Sequence, residues 1–222
     1  MKRIPEPELM DASAQAEAYA EADFSESNAL FVELFRGAVG EAPAGGRVLD
    51  LGCGPADIPV RLARAFPQLI VDAVDGSESM LRCARDAVQR AGFGERINLT
   101  RRRLPDQRLE MASYGAVISN SLLHHLVDPL DLWKTVIRCA GLGAAVVVMD
   151  LIRPDEEADV DALVKAYARD APEVLRQDFR ASLCAAYTLE EVAAQLEAAD
   201  LTQLEPKRVS DRHWAVAGRL AA

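Results

Sequence analysis

The sequence predicts an α/β protein with a doubly wound, mostly parallel sheet of seven strands, helices on both faces and an antiparallel hairpin at the C-terminal end. Three observations carry this expectation. Short branched apolar runs alternate with helical patterns along most of the chain, which implies parallel neighbours joined by right-handed crossovers. The runs are continuously apolar, as in a sheet covered on both faces. One glycine-rich turn, LGCGPAD at Leu51–Asp57, leads from the first run straight into a helix, the place where an open parallel sheet binds its ligand.

The runs RVLDL (47–51), LIVDAVD (69–75), INLTRR (97–102), GAVISN (115–120) and AAVVVMDL (144–151) are the parallel strands. LTQLEPKRV (201–209) and HWAVAGRL (213–220) have few residues between them and pair as a hairpin. Between the strands, Ile58, Leu62 and Phe66 recur at helical spacing, with Pro59 tolerated in the first turn. Ser77 caps a helix with the stripe Leu81, Ala84 and Val88, and Gly92 ends it. Asp128 and Pro129 open the next, and Thr188 with Glu191 makes a capping box ahead of Val192 and Leu196. The segment AEAYAEADFSESNALFVELF is amphipathic, with Phe31, Leu34 and Phe35 on one stripe.

The chain of 222 residues is half apolar, enough for one sizeable core and short for two, so a single domain over 1–222 is expected. Its segments are a helical lid at 1–44, a ligand-binding core at 45–153, a helical substrate-side insertion at 154–187, and a last helix with two strands at 188–222. Lys and Arg total 25 against 35 acidic residues, a formal charge of −10, which repels polyanions and disfavours nucleic acid as a partner. Cys53, Cys83, Cys139 and Cys184 stand far apart with no CxxC pair, so spacing indicates neither a metal site nor a disulfide framework. Reduced thiols fit a cytoplasmic location. MKRIPEPELM is charged where a signal peptide needs an apolar stretch, and AAVVVM at Ala144–Met149 is too short to span a bilayer.

Gly52 and Gly54 let the backbone turn tightly and admit a ligand where a Cβ would stand, and the helix that follows offers free N–H groups to an anion. A dinucleotide site wants glycine at the sixth position of GxGxxG. Here that position is Asp57, whose charge opposes a pyrophosphate. S-adenosylmethionine carries no phosphate and has ammonium and sulfonium groups, for which Asp50 and Asp57 are assets. Asp75 ends the second strand at the offset where an acid accepts ribose hydroxyls. Met80 either lies on the adenine face or belongs to the core.

VLDLGCGPAD, VDGSESML, ISNSLLHHLVDP and VVVMDLIRP, in this order and spacing, resemble the class I S-adenosylmethionine-dependent methyltransferases, most closely their small-molecule branch with the LHHL pattern. The first block matches the family's D-x-G-x-G-x-G with Ala56 at the third glycine, which suits a negative φ. The resemblance implies S-adenosylmethionine as cofactor, S-adenosylhomocysteine as product, and a cofactor site of Asp50, Gly52, Cys53, Gly54, Asp57, Asp75, Gly76, Ser77, Met80, Arg103, Leu104 and Asn120. Arg103 stands where the family often has an acid beside adenine, leaving backbone at Leu104, or Asp106, to hold that ring.

Methyl transfer is an in-line displacement, so alignment and water exclusion dominate, and a base is needed only where the acceptor must lose a proton. His124 and Asp150 are the catalytic candidates. Local capping or packing is the alternative for the histidines, and a helix cap or an Arg153 salt bridge for Asp150. The family's lid helices point to Tyr19 and Phe24 on the substrate side, joined by His125 and Arg153, and by Arg176, Phe179, Arg180 and Tyr187 of the insertion. The expected acceptor is a small molecule, used by a monomer or homodimer. The rivals are a methyltransferase of tRNA or another macromolecule, a non-catalytic S-adenosylmethionine-binding module, and a nicotinamide oxidoreductase.

Overall fold

Alternation of side chains across a strand decides how the layers form. In the computed structural model, which describes residues 1–40 and 46–221, Val48, Ala116, Ile118, Val147 and Met149 point to one face and join a core with helices α2 (Ser25–Val39), α3 (Asp57–Ala65) and α4 (Glu78–Ala91). Their neighbours Leu49, Leu51, Val117, Val146 and Val148 point the other way, onto Trp133 and Val136 of α5 (Leu130–Cys139) and Val192 and Leu196 of α8 (Leu189–Ala198). Burial on both faces is why these strands read as continuous apolar runs.

The sheet has seven strands in the order β3-β2-β1-β4-β5-β7-β6. Strands β1 (Arg47–Leu51), β2 (Ile70–Asp75), β3 (Ile97–Arg101), β4 (Tyr114–Asn120) and β5 (Ala140–Leu151) pair in parallel. Strand β7 (His213–Arg219) runs antiparallel between β5 and β6 (Pro206–Arg208). The order reverses between β1 and β4, and the crevice beyond their C-terminal ends is where such a sheet holds ligands.

The caps fall where the sequence puts them. Ser77 Oγ accepts from Met80 N–H, Gly92 closes α4 in the left-handed region at φ 74°, and Thr188 and Glu191 complete a reciprocal capping box. Three elements differ from expectation. Strand β5 begins at Ala140 because Tyr114 pairs with it across a register shift. Of LTQLEPKRV only Pro206–Arg208 is strand, since Leu201 and Leu204 turn down into the core after α8. The amphipathic N-terminal stretch breaks at Ala22–Phe24 into α1 (Ser13–Glu21) and α2.

Residues 1–12 are not helical but form a strap over the sheet's C-terminal edge. Ile4 N–H donates to Cys184 carbonyl (3.0 Å), Arg3 donates to the carbonyls of Ala185 (2.5 Å) and His124 (2.8 Å), and Ser79 Oγ donates to Asp11 carbonyl (2.8 Å). The insertion folds as α6 (Glu157–Tyr167) and α7 (Glu173–Ala185). The boundary expected at 44/45 lies outside the described residues. Among the described residues, no helix is long and apolar enough to cross a membrane.

Candidate functional site

The glycine turn is built by its backbone. Gly52 takes φ 76°, and a Cβ there would come within 2.8 Å of the Leu122 side chain, so both conformation and space require glycine. Gly52 N–H donates to Val74 carbonyl (2.8 Å) and Gly54 N–H to Asp75 Oδ2 (2.8 Å), while Asp75 Oδ1 accepts from Ser77 N–H (2.8 Å). Asp75 therefore ties the first turn to the second. Burial raises its pKa, and those N–H donors oppose the rise. Ala56 departs from expectation: it sits at φ 67°, in the left-handed region that the family's third glycine enters without strain.

Beyond this turn opens a cavity of about 610 Å³, whose wall includes Asp50, Gly52, Cys53, Gly54, Asp57, Asp75, Gly76, Ser77, Met80 and Asn120. Asp50 is 1 % exposed, and its Oδ2 has no hydrogen-bond partner among the described residues. Burial, reinforced by the charge of Asp75, pushes its pKa up to about 8. Asn120 Oδ1 is buried and unpartnered too, at the end of the adjacent strand, where Asp50 pairs with Ile118. Two orphaned acceptors at neighbouring strand ends call for a donor that the described residues do not supply. The ammonium of S-adenosylmethionine carries such donors and a compensating charge, so the residues fit that cofactor. A pyrophosphate would meet only repulsion here.

Asp57 is less free than its sequence position suggests, because Arg61 Nε donates to it at 3.1 Å and Asn28 Nδ2 donates to its other oxygen. Met80 is buried and also on the wall. The strap roofs this end: Leu9 and Met10 line the cavity, Ser77 Oγ donates to Met10 carbonyl (2.8 Å), and a Cβ on Gly76 would stand 2.7 Å from Leu9. Burial raises the Cys53 thiol pKa well above its ordinary value.

Arg103 and Leu104 are not on the wall. Arg103 lays its stem beside Gly76, Leu104 packs on the core beneath α5, and Asp106 is bound by Arg108 (2.7 Å), which holds its pKa down to about 2.

On the acceptor side, Tyr19 and Phe24 stack at 4.7 Å and line the cavity opposite Phe179. Burial, followed by the charges of Asp150, Asp57 and Asp75, pushes the Tyr19 phenol up to about 12. His124 and His125 both line the wall, on a short 3₁₀ turn (Leu123–His125). Asp150 lies behind His124, its Oδ1 2.5 Å from Nδ1, while its Oδ2 accepts from His124 N–H (3.1 Å). Burial pulls the His124 pKa down, but the carboxylates of Asp150 and Glu6 outweigh it and hold it at about 9. His125 is lowered to about 4 by burial and by the charge of His124.

Asp150, expected at the pocket as a catalytic group, is fully buried and off the cavity wall, and it pairs with His124 and not with Arg153, the salt-bridge alternative. Arg153 serves packing, donating to both Glu191 oxygens (2.8 and 2.7 Å), to Ala186 carbonyl and to Met1 carbonyl. Tyr187 lies under the Arg3 guanidinium, 4.2 Å from its ring centroid, and belongs to the core. Arg176 and Arg180 pair with Glu173 and with Glu157 and Asp161 at the surface.

Sequence reasoning missed Glu6, Leu9, Met10 and Asp178. The first three reach the site through a strap with no periodicity to betray it. Asp178 Oδ2 is buried without a partner and its residue lines the cavity beside Phe179, while Oδ1 accepts from Gln15 Nε2 (2.9 Å). Burial raises its pKa.

Residues 48–143 match the methyltransferase-domain family. The trans-aconitate 2-methyltransferase of Mycobacterium ulcerans is 33% identical over 129 residues, covering 57% of this chain and 44% of that protein. The chain spans less than half the length of such curated relatives. Among solved structures, a SAM-dependent methyltransferase from Aquifex aeolicus superposes with a TM-score of 0.68 at 18% identity, covering 95% of this chain and 99% of that one. The plantazolicin methyltransferase BpumL, in complex with a triazolic desmethyl analogue and SAH, gives a TM-score of 0.70 at 13% identity, covering 93% and 90%.

Proposed function

We propose, for a chain that carries a class I S-adenosylmethionine-dependent methyltransferase domain, that it methylates a small-molecule acceptor. S-adenosylmethionine, the cofactor of this family, supplies an electrophilic methyl group on a cationic sulfur. The observation that carries the reading is the pair of orphaned oxygens, Asp50 Oδ2 and Asn120 Oδ1, at the mouth of β1 and β4. They bind the cofactor's ammonium, Asp75 holds its sugar and the Leu9–Met10 stretch covers its adenosine.

What remains for the protein is orientation and water exclusion, which together can contribute roughly 7 to 11 kcal/mol. Tyr19, Phe24 and Phe179 supply a dry aromatic wall for the acceptor. His124, protonated at neutral pH by its carboxylate neighbours, has both ring nitrogens facing carboxylates and is not itself a proton acceptor. Asp178 is the unpartnered carboxylate on that wall, so the acceptor is neutral or cationic, with a donor group for Asp178 Oδ2. This departs from the tricarboxylate named for the M. ulcerans relative. Arg212, which shares the wall with Arg90, faces Asp211 (2.9 Å) and Glu26 (3.8 Å) and stacks on Tyr167, so its own charge is already balanced.

The test offers deuteromethyl-labelled S-adenosylmethionine to the protein together with a metabolite extract, tRNA and total protein, read by mass spectrometry. The label is expected in a small molecule, and Asp50→Asn abolishes it. Label in tRNA or protein, or in none of the fractions, contradicts the proposal.

A further inference from the structure

We infer that Glu6, His124 and His125 form a binding site for a divalent transition-metal ion of the Zn²⁺ class. One donor comes from the strap and two from the 3₁₀ turn after β4, and the three ligand atoms all lie within 4.8 Å of one another. Glu6 Oε1 stands 3.2 Å from His124 Nε2 and 3.5 Å from His125 Nδ1. Around an ion with bonds of about 2.0 to 2.2 Å, adjacent corners of a tetrahedron are roughly 3.3 to 3.6 Å apart. The two separations from Glu6 are close to that edge.

Such distances would also suit hydrogen bonds, but the directions do not. Glu6 Oε1 is buried and has no hydrogen-bond partner among the described residues, on a side chain only 9% exposed. A buried carboxylate oxygen left in this state is costly. A cation at the point on which the three donors converge would satisfy it.

The arrangement behind His124 is an independent observation. Asp150 Oδ1 lies 2.5 Å from His124 Nδ1 and also accepts from Leu151 N–H at 2.7 Å. A metal-ligating histidine nearly always gives its other ring nitrogen to a carboxylate, which fixes the tautomer and aims Nε2 at the ion. Binding releases the Nε2 proton of His124 to solvent, and at His125 the ion displaces the contact between Nδ1 and the Pro7 carbonyl (3.2 Å). Two imidazoles with one carboxylate favour Zn²⁺ or Co²⁺ over Mg²⁺ and Ca²⁺, which prefer oxygen alone. Because both histidines are on the cavity wall, the fourth coordination position opens toward the acceptor side. The ion would also pin the strap that covers the cofactor end.

The test strips the whole chain with a chelator and titrates Zn²⁺ and Co²⁺ by calorimetry, with Co²⁺ absorption reporting coordination. One ion per chain is expected, with the intense visible bands of a four-coordinate site. Glu6→Gln and His125→Ala should each weaken binding by at least the roughly 10- to 100-fold that loss of even an outer-shell partner costs. Circular dichroism checks folding; if Glu6→Gln is unfolded, His125→Ala, at an 11% exposed side chain, carries the decision. Absence of Zn²⁺ uptake by the stripped protein overturns the inference. So does uptake that folded variants leave unchanged, which would move the ion to thiols such as Cys83.

Discussion

Asp50 combines the two properties a cation-binding carboxylate needs, and they oppose each other. In the ligand-free protein its pKa stands at about 8 because burial and the charge of Asp75 disfavour ionisation, so it is mostly protonated at pH 6 to 7. A bound ammonium favours the carboxylate, and cofactor binding must then expel the Asp50 proton. The sign follows: affinity rises with pH below the ligand-free pKa. The slope approaches one decade per pH unit, so between pH 6 and 7 the dissociation constant should fall about tenfold, or roughly 1.4 kcal/mol. Calorimetry with S-adenosylhomocysteine in two buffers of different ionisation enthalpy measures both affinity and proton release. Asp50→Asn should bind far more weakly and lose most of the slope. The same variant removes a buried unpaired charge, so at pH 8 its ligand-free form should be more stable than wild type, by roughly 1–3 kcal/mol. Flat affinity with no proton released in the wild type refutes the reasoning.

Other substitutions test separate parts of the site. Gly52→Ala meets both a positive φ and the Leu122 side chain, and should cost roughly 2 kcal/mol or more in denaturant unfolding. Ala56→Gly relieves left-handed strain of about 1 kcal/mol and loses a fully buried methyl worth about 0.8 kcal/mol, so its melting curve should nearly overlay wild type. Asp150→Asn removes the nearer of the two carboxylates that hold the His124 imidazolium and leaves Glu6 alone to balance it, so an NMR titration should find the His124 pKa lowered from about 9. Asp178→Asn should leave S-adenosylhomocysteine affinity unchanged and lower kcat/KM for the true acceptor by about tenfold or more, the loss of one charge-assisted contact.

The parts of the fold legible in the sequence are those written by local rules. Strands buried on both faces show as unbroken runs at Val48–Leu51 and Ala144–Met149, and Ser77, Gly92 and Thr188 mark their helices by capping chemistry. The glycine turn was legible for the same reason, since Gly52, Gly54 and Asp75 sit at fixed offsets from strand ends. Contacts made across the chain were not. Nothing local tells that Arg153 turns to Glu191 and away from the cavity, that Asp150 faces His124, or that Glu6 meets both histidines. The widely spaced cysteines argued against a metal site, but that argument speaks only to ligands close in sequence. Ala56 shows the opposite limit: its residue type suggested negative φ, and the turn overrode it.

A crystal structure with S-adenosylhomocysteine tests most directly where the cofactor's amino acid end lies. The ammonium is expected within about 2.7–3.2 Å of both Asp50 Oδ2 and Asn120 Oδ1, with the ribose hydroxyls on Asp75. An amino acid end lodged elsewhere, with both oxygens still unpartnered, contradicts it.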